Sequence, residues 1–331
     1  MTYETFLEWI PDMVQSQLGD GVEVRLHTIY KNNNVRRNAI CVMEEGCNVS
    51  PTIYLERYYQ QWKDGVSLDK ISSEICKEYE ANRCGKYVNI ASFCQFETMK
   101  DRIVYKLIHY DRNWELLQQI PHRRFLDLAV VYYLLLEDPF LGNATVLIQQ
   151  QQMQMWNVEE ETLYQMASCN TKRILGNIIT PMRQVIRELL IRDMGRQLAS
   201  DVDRGICTPQ QVEQWSEEVL EQILPKEQRT MFVMSNHNKY LGAVSVLDQE
   251  MLDDFAGKLD GGFYVIPSSI HEMILVPETE SLQWKDMRLL LAQINGEEDN
   301  VQEYLSDQIY YYDRQKGLQM MGDPRVKESL S

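Results

Sequence analysis

Apolar and polar residues alternate most cleanly near the start of the chain. Val24, Leu26, Thr28 and Tyr30 interleave with Glu23, Arg25 and His27, the period of two expected of a half-buried strand. Lys31-Asn32-Asn33-Asn34 supplies turn chemistry, because Asn tolerates the left-handed backbone, and residues 38–43 return as the partner strand. A helix over 5–18 precedes this hairpin; it must accommodate Pro11 with a kink or break and ends at Gly19-Asp20-Gly21. Helices follow over 53–63 and from Ser67, whose hydroxyl caps free N–H groups ahead of the stripe Leu68, Ile71, Ile75, Tyr79. Residues 99–110 fit either helix or strand. Residues 112–120 predict one short helix, stopped by Pro121.

Residues 125–136 and 144–150 read as two strands, the first apolar on both faces beyond Leu128 and therefore central in its sheet. The Gln149–152 run reads as a polar strand end or loop. Asn157 with Glu160 predicts a cap opening a helix that buries Leu163, Met166 and Ala167. Thr180-Pro181 and Thr208-Pro209 each place Pro at the first helical position after a Thr cap. The second of these helices shows Val212, Trp215, Val219 and Ile223 on one face. Strands over 231–234 and 241–247 surround an Asn236-His237-Asn238 turn. A helix over 250–259, strands over 263–267 and 273–276, a helix over 282–294, a polar Glu297-Glu298-Asp299 loop, a short helix and a strand over 309–312 follow. The tail beyond Gly317 is expected to fray.

Two strands followed by a helix recur near 22–62, 125–170, 231–259 and 263–294. The expected fold class is α+β, with antiparallel strand pairs each backed by helices in a repeated β-β-α build. No Gly-rich phosphate loop follows any strand. At 331 residues the chain is about two domains' worth. The division expected is residues 1–118 (helix, hairpin and helical segment) and 119–331, the latter in two sub-blocks, 119–225 and 226–331.

Charge narrows the partners. A net charge of −16 disfavours long-range attraction to phosphate backbones or anionic lipid, so neither nucleic acid nor membrane is expected. The most basic helix carries Arg183, Arg187, Arg192 and Arg196, but the first two share one stripe, the last two fall opposite, and Glu188 and Asp193 intervene. Seven cysteines without a Cys-x-x-Cys pair fit a reducing compartment. The start lacks the basic and apolar regions of a signal peptide, and the longest apolar run, 128–136, is short of the ~20 residues a membrane span needs. The expected location is the cytoplasm.

Candidate chemistry is sparse. His271-Glu272 opens like a zinc-protease helix, but Leu275 stands where the second His belongs; no metal or cofactor is expected. Ser268, Ser269, His271 and Glu272 crowd into five residues. In an extended segment Ser269 and His271 share a face about 6–7 Å apart while Glu272 points away, too open for a Ser-His-acid triad. A turn in which the serines bond backbone is the simpler reading. His122-Arg123-Arg124 has the donors to hold an anion, with Asp127 as a partner for His122 or Arg124. Asn48-Val49-Ser50-Pro51 reads as a loop and cap. The Tyr58-Tyr59, Tyr132-Tyr133 and Tyr310-Tyr311-Tyr312 clusters fit half-buried sheet faces.

Three segments carry a family resemblance: Glu44-Glu45-Gly46-Cys47-Asn48-Val49-Ser50-Pro51-Thr52-Ile53-Tyr54-Leu55, Pro121-His122-Arg123-Arg124-Phe125-Leu126-Asp127-Leu128-Ala129-Val130-Val131-Tyr132, and Pro267-Ser268-Ser269-Ile270-His271-Glu272-Met273-Ile274-Leu275-Val276-Pro277. With Asn236 and Leu241-Gly242-Ala243, they resemble domain of unknown function 5688, an uncharacterised family of gut Clostridia and related Firmicutes. The resemblance runs from about Val22 to Arg314. It implies a bacterial cytosolic protein and brings no catalytic residue, cofactor or partner with it.

The leading expectation is a non-enzymatic protein-interaction or regulatory module acting through a protein partner. The alternative is a small-molecule or anion-binding enzyme, hydrolase-like, with His122, Arg123, Asp127, Ser269 and His271 assembled from distant segments.

Overall fold

A computed structural model describes residues 1–47, 50–83, 94–138, 142–224, 231–278, 287–289, 291–292 and 301–321. The chain is an α+β protein in two units. The first comprises Met1–Val104, Arg112–Pro121 and Tyr132–Met166, and the second Tyr105–Asp111, His122–Val131 and Ala167–Ser331.

In the first unit, helix α1 (Tyr3–Leu18) is capped by the Thr2 hydroxyl, which accepts from the Thr5 N–H. Of the kink or break expected at Pro11 there is no break, since the helix runs through it as one element. Phe6, Ile10 and Val14, four residues apart, are buried on its inner face, and that anchoring on both sides outweighs one missing backbone bond. Strands β1 (Val22–Lys31) and β2 (Val35–Glu44) pair antiparallel without a bulge, from Val22 opposite Glu44 to Lys31 opposite Val35. Asn33 and Asn34 adopt the left-handed turn at φ 59°. Strand β3 (Thr52–Tyr54) adds to β2, so Ile53 opens no helix; α2 (Glu56–Lys63) starts after it. Helix α3 (Leu68–Asn82) is capped by Ser67, as expected. Ile40, Val42, Ile53, Ile71 and Ile75 join Phe6, Ile10 and Val14 in one core cluster. Each such side chain contributes roughly 1.5–3 kcal/mol on burial.

The ambiguous 99–110 stretch resolves into both forms: a short helix α4 (Phe96–Met99) and then strand β4 (Ile103–His109). Helix α5 is brief (Trp114–Leu117). The apolar run read as one strand from Phe125 is a hairpin, β5 (His122–Phe125) and β6 (Leu128–Asp138), turned at Leu126 and Asp127. The later part of β6 pairs with β7 (Gly142–Leu147) in the first unit. Gln150–152 open helix α6 (Gln150–Trp156) rather than extend a strand. Asn157 closes that helix at φ 52° instead of capping α7 (Glu160–Leu175), since Asn is among the few residues that take the left-handed C-cap readily.

The second unit is built on a six-stranded sheet of order β13-β12-β10-β11-β9-β8. Strand β8 (Asn177–Pro181) is absent from the sequence reading: Thr180 pairs with Val233 and caps no helix. Helix α8 (Met182–Gln197) follows, its first N–H held by the Met231 carbonyl. After α9 (Ala199–Asp203), helix α10 (Pro209–Ile223) carries the expected Thr208 cap as a full capping box with Gln211. Strand β9 is Phe232–Asn236. The expected strand over 241–247 is a 3₁₀ turn, Gly242–Leu247, entered through left-handed Leu241. Helix α11 (Gln249–Leu259) and strands β10 (Phe263–Pro267) and β11 (Met273–Pro277) match expectation. Strand β12 (Tyr310–Asp313) pairs with β13 (Gly317–Met320), so residues 317–320 are sheet where fraying was expected, and residues 322–331 of that tail lie outside the described residues. The central strand β10 is buried along its length. Phe263 meets Phe255 of α11 on one face, while Tyr264 and Ile266 join Ile274, Val276, Met287 and Leu291 on the other. Most of the predicted 282–294 helix, the 297–299 loop, Asn48 and Val49 lie outside the described residues.

Candidate functional site

The five candidate residues of the sequence all fall in the second unit. The β5–β6 turn places Leu126 at φ 56°, an uncommon conformation for a γ-branched residue, and presents Asp127. Its carboxylate accepts from the Ser306 hydroxyl at 2.6 Å and the Tyr310 hydroxyl at 2.7 Å. The partners expected for it, His122 or Arg124, are differently engaged. Arg124 donates to the Leu126 carbonyl at 3.2 Å and lies over the Tyr110 ring, which His122 meets edge-on. The Tyr110 N–H in turn donates to the Asp127 carbonyl. Tyr310 is fully buried. Burial first, and then the Asp127 charge, hold its hydroxyl well above the ordinary phenol range.

Between β10 and β11 the chain turns as the simpler reading expected. The Ser268 and Ser269 N–H groups both donate to the Glu272 carbonyl, and Ser269 Oγ accepts from the His271 backbone N–H at 3.0 Å. The hydroxyl therefore faces its own loop rather than the imidazole. His271 Nδ1 accepts from the Leu241 N–H at 3.0 Å, which sets the neutral ring's proton on Nε2, 3.7 Å from Glu303 Oε1. The ring lies on Tyr240. Glu272 is held above the usual carboxylate range, chiefly by burial.

The two sets of residues are joined by one segment. The Glu303 carbonyl accepts from the Ile270 N–H at 2.8 Å, and three residues later Ser306 donates to Asp127. The loop facing His271 is tightly fixed as well. The Asn236 amide brackets Tyr240, and a Cβ at Gly242 would stand 2.2 Å from Ser235 Oγ and 2.7 Å from the His271 carbonyl. The chemistry available here is structural hydrogen bonding. Among the described residues no group of three His, Cys, Asp or Glu side chains is placed to hold a metal ion.

The first unit presents the opposite arrangement. Strand β1 ends its sheet, in the order β1-β2-β3. The Gln15 side chain accepts from the Val24 N–H at 2.9 Å and donates to the Val22 carbonyl at 3.0 Å. These backbone groups therefore point away from β2, and the antiparallel alternation puts those of Leu26, Thr28 and Tyr30 outward too. Strand β2 agrees. Opposite Thr28, Asn38 directs its carbonyl to Leu55 and its N–H to Glu56, away from β1. Gln15 closes the edge at Val22–Val24. Beyond it Leu26 and Tyr30 are 41% and 49% exposed, and among the described residues nothing takes up the outward backbone groups. The hairpin tip is fixed by reciprocal bonds between Asn33 and Asn113.

Between Glu23 and Glu44 the sequence holds Arg25, Lys31, Arg36 and Arg37 and no acidic residue. This run is the signal that sequence reasoning passed over. Arg25 pairs with Glu23 at 2.8 Å. Among the described residues Lys31, Arg36 and Arg37 make no ion pair; Lys31 lies over Tyr54 and Arg36 over Tyr30.

Among the described residues no helix is long and apolar enough to cross a membrane. No curated protein and no solved structure matches the chain. The model of a family of unknown function, DUF5688, matches residues 3–314, and the chain belongs to that family.

Proposed function

We propose that this is a protein-interaction module of the bacterial cytoplasm, without catalytic activity of its own, that receives an extended polypeptide along the outer edge of β1. The observation behind the reading is the run of outward backbone groups on Leu26, Thr28 and Tyr30, set in a straight, bulge-free strand and flanked by exposed side chains. Natural sheets blunt such edges with Pro, bulges or covering segments; among the described residues only the Val22–Val24 start of this edge is covered, by Gln15. Strand addition uses the backbone for affinity and alternate side chains for selection. The hydrolase alternative is the weaker reading, since Ser269 Oγ and His271 Nδ1 both accept from backbone N–H groups and no activated nucleophile results.

Affinity capture from native lysate with wild type, Thr28→Pro and the remote control Ile206→Ala tests this. Proline at 28 removes an outward N–H and leaves the β2 ladder intact. The expected result is a protein recovered by wild type and by the control but lost with Thr28→Pro. Recovery of the bare chain, or equal capture by Thr28→Pro, overturns the proposal.

A further inference from the structure

The chemistry of the β1 edge also specifies what it receives. We infer that the occupant is an acidic, extended polypeptide segment of a partner protein, with carboxylates alternating with apolar residues; this rests on the edge reading above. Side chains at 25, 27, 29 and 31 share one face of the hairpin with those at 35, 37, 39 and 41, as the register requires. That face carries His27, Lys31 and Arg37, and Arg25, which is held by Glu23 on the same face. The other face carries Val24, Leu26 and Tyr30, with Arg36 over Tyr30. A strand added beside β1 meets cations on one side and apolar surface on the other, so it is matched by carboxylates at every second position.

Charge separates this occupant from its rivals. The ribbon's four Lys and Arg stand in a chain of net charge −16. A carboxylate-bearing strand at the edge meets the local cations within contact distance, whereas a long phosphate backbone also runs along the anionic remainder. A second copy of this chain is disfavoured by register. Antiparallel pairing centred on Thr28 sets Arg25 of each copy directly across Lys31 of the other, and like charges in that position are destabilising.

The test uses the full-length protein and two seven-residue amidated peptides, one alternating glutamate with valine and the other lysine with valine, with a short DNA duplex as a third arm. The glutamate peptide should bind about tenfold tighter than the lysine peptide, the size expected of two or three exposed ion pairs. The preference should shrink as salt is raised, and it should vanish in the double variant Lys31→Glu, Arg37→Glu. Thr28→Pro should abolish binding of either peptide. Equal binding of both peptides, lost with Thr28→Pro, overturns the acidic occupant and leaves the edge reading standing. Binding of neither peptide overturns both. Duplex binding stronger than that of the glutamate peptide, or a wild-type dimer that Thr28→Pro dissolves, overturns the acidic-polypeptide assignment in favour of nucleic acid or self-association.

Discussion

Asp127 and the outer edge of β1 handle the same problem in opposite ways. Around Asp127 each strong hydrogen-bonding group meets a partner inside the fold: two hydroxyls on one carboxylate, and the Tyr110 N–H on its carbonyl. Along β1 the backbone groups of three alternate residues are turned outward, and among the described residues one glutamine side chain covers only the start of the row. A satisfied, part-buried polar centre specifies packing; a row of backbone groups without a partner among the described residues, on an exposed strand, is a template for another chain. The difference teaches that chemical character alone did not mark the site. Asp127, Ser269 and His271 each hydrogen-bond within the fold, and the proposed site is made of backbone.

The comparison predicts that changes at the first region cost stability and changes at the second cost binding. The largest effect should come from Asp127→Ala, which removes the carboxylate to which the buried Tyr310 and Ser306 hydroxyls donate. At about 1.5–3 kcal/mol for a hydrogen bond to a charged group, the loss should be roughly 2–4 kcal/mol, read from the urea midpoint. A loss below ~0.5 kcal/mol would remove the contrast. Gly242→Ala comes next. Its methyl would meet Ser235 Oγ, the Asn236 N–H and the His271 carbonyl at 2.2–2.7 Å, and overpacking of this kind costs about 1–3 kcal/mol. Capture at the β1 edge should be unchanged in that variant.

A smaller effect depends on pH. Burial, followed by the hydrogen bond to Glu78, pushes the Tyr58 hydroxyl up to about 12 from 10.0. The folded chain then holds this proton more tightly than the unfolded one. The Tyr58 contribution is fully present below pH 10.0 and is lost as pH rises towards about 12. Tyr58→Phe should make the fall in stability over that window shallower; an unchanged slope would show that Tyr58 does not carry it. The smallest stability change belongs to Thr28→Pro, about 1 kcal/mol, because an outward N–H and the exposed hydrogen bond from the Thr28 hydroxyl to Asn38 are all that is removed, although this variant should lose capture altogether.

Much of the architecture was legible because amphipathic periods, caps and turns are local. The β1–β2 hairpin, the Ser67 and Thr208 caps, α11 and the β10–β11 pair follow from short-range pattern. The misreadings have tertiary causes. On α10 the buried row is Val212, Ser216 and Leu220, while Trp215 and Ile223 are 37% and 57% exposed. Ser216 bonds the Val212 carbonyl and meets Met194 of α8, so a small residue occupies the close helix contact where the pattern favoured large apolar ones. Residues 242–246 are all buried, and an almost wholly apolar run does not separate strand from helix by period. Thr180 looked like a helix cap because its pairing with Val233, some fifty residues on, is invisible locally. The candidate site escaped notice for a related reason. Alternation at Val24–Tyr30 announces a strand, but whether a strand is central or an edge depends on what fails to pair with it, and Gln15 reaches it from a separate helix.

Residue-resolved amide hydrogen exchange of the full chain, alone and with its captured partner, tests the open edge most directly. In the free protein the amides of Leu26, Thr28 and Tyr30 should exchange quickly, while those of Arg25, His27 and Ile29, turned towards β2, should be protected. Partner binding should slow the first three and leave the second three unchanged. Protection of Leu26, Thr28 and Tyr30 in the free monomer would mean that the edge is already covered, and would contradict the proposal.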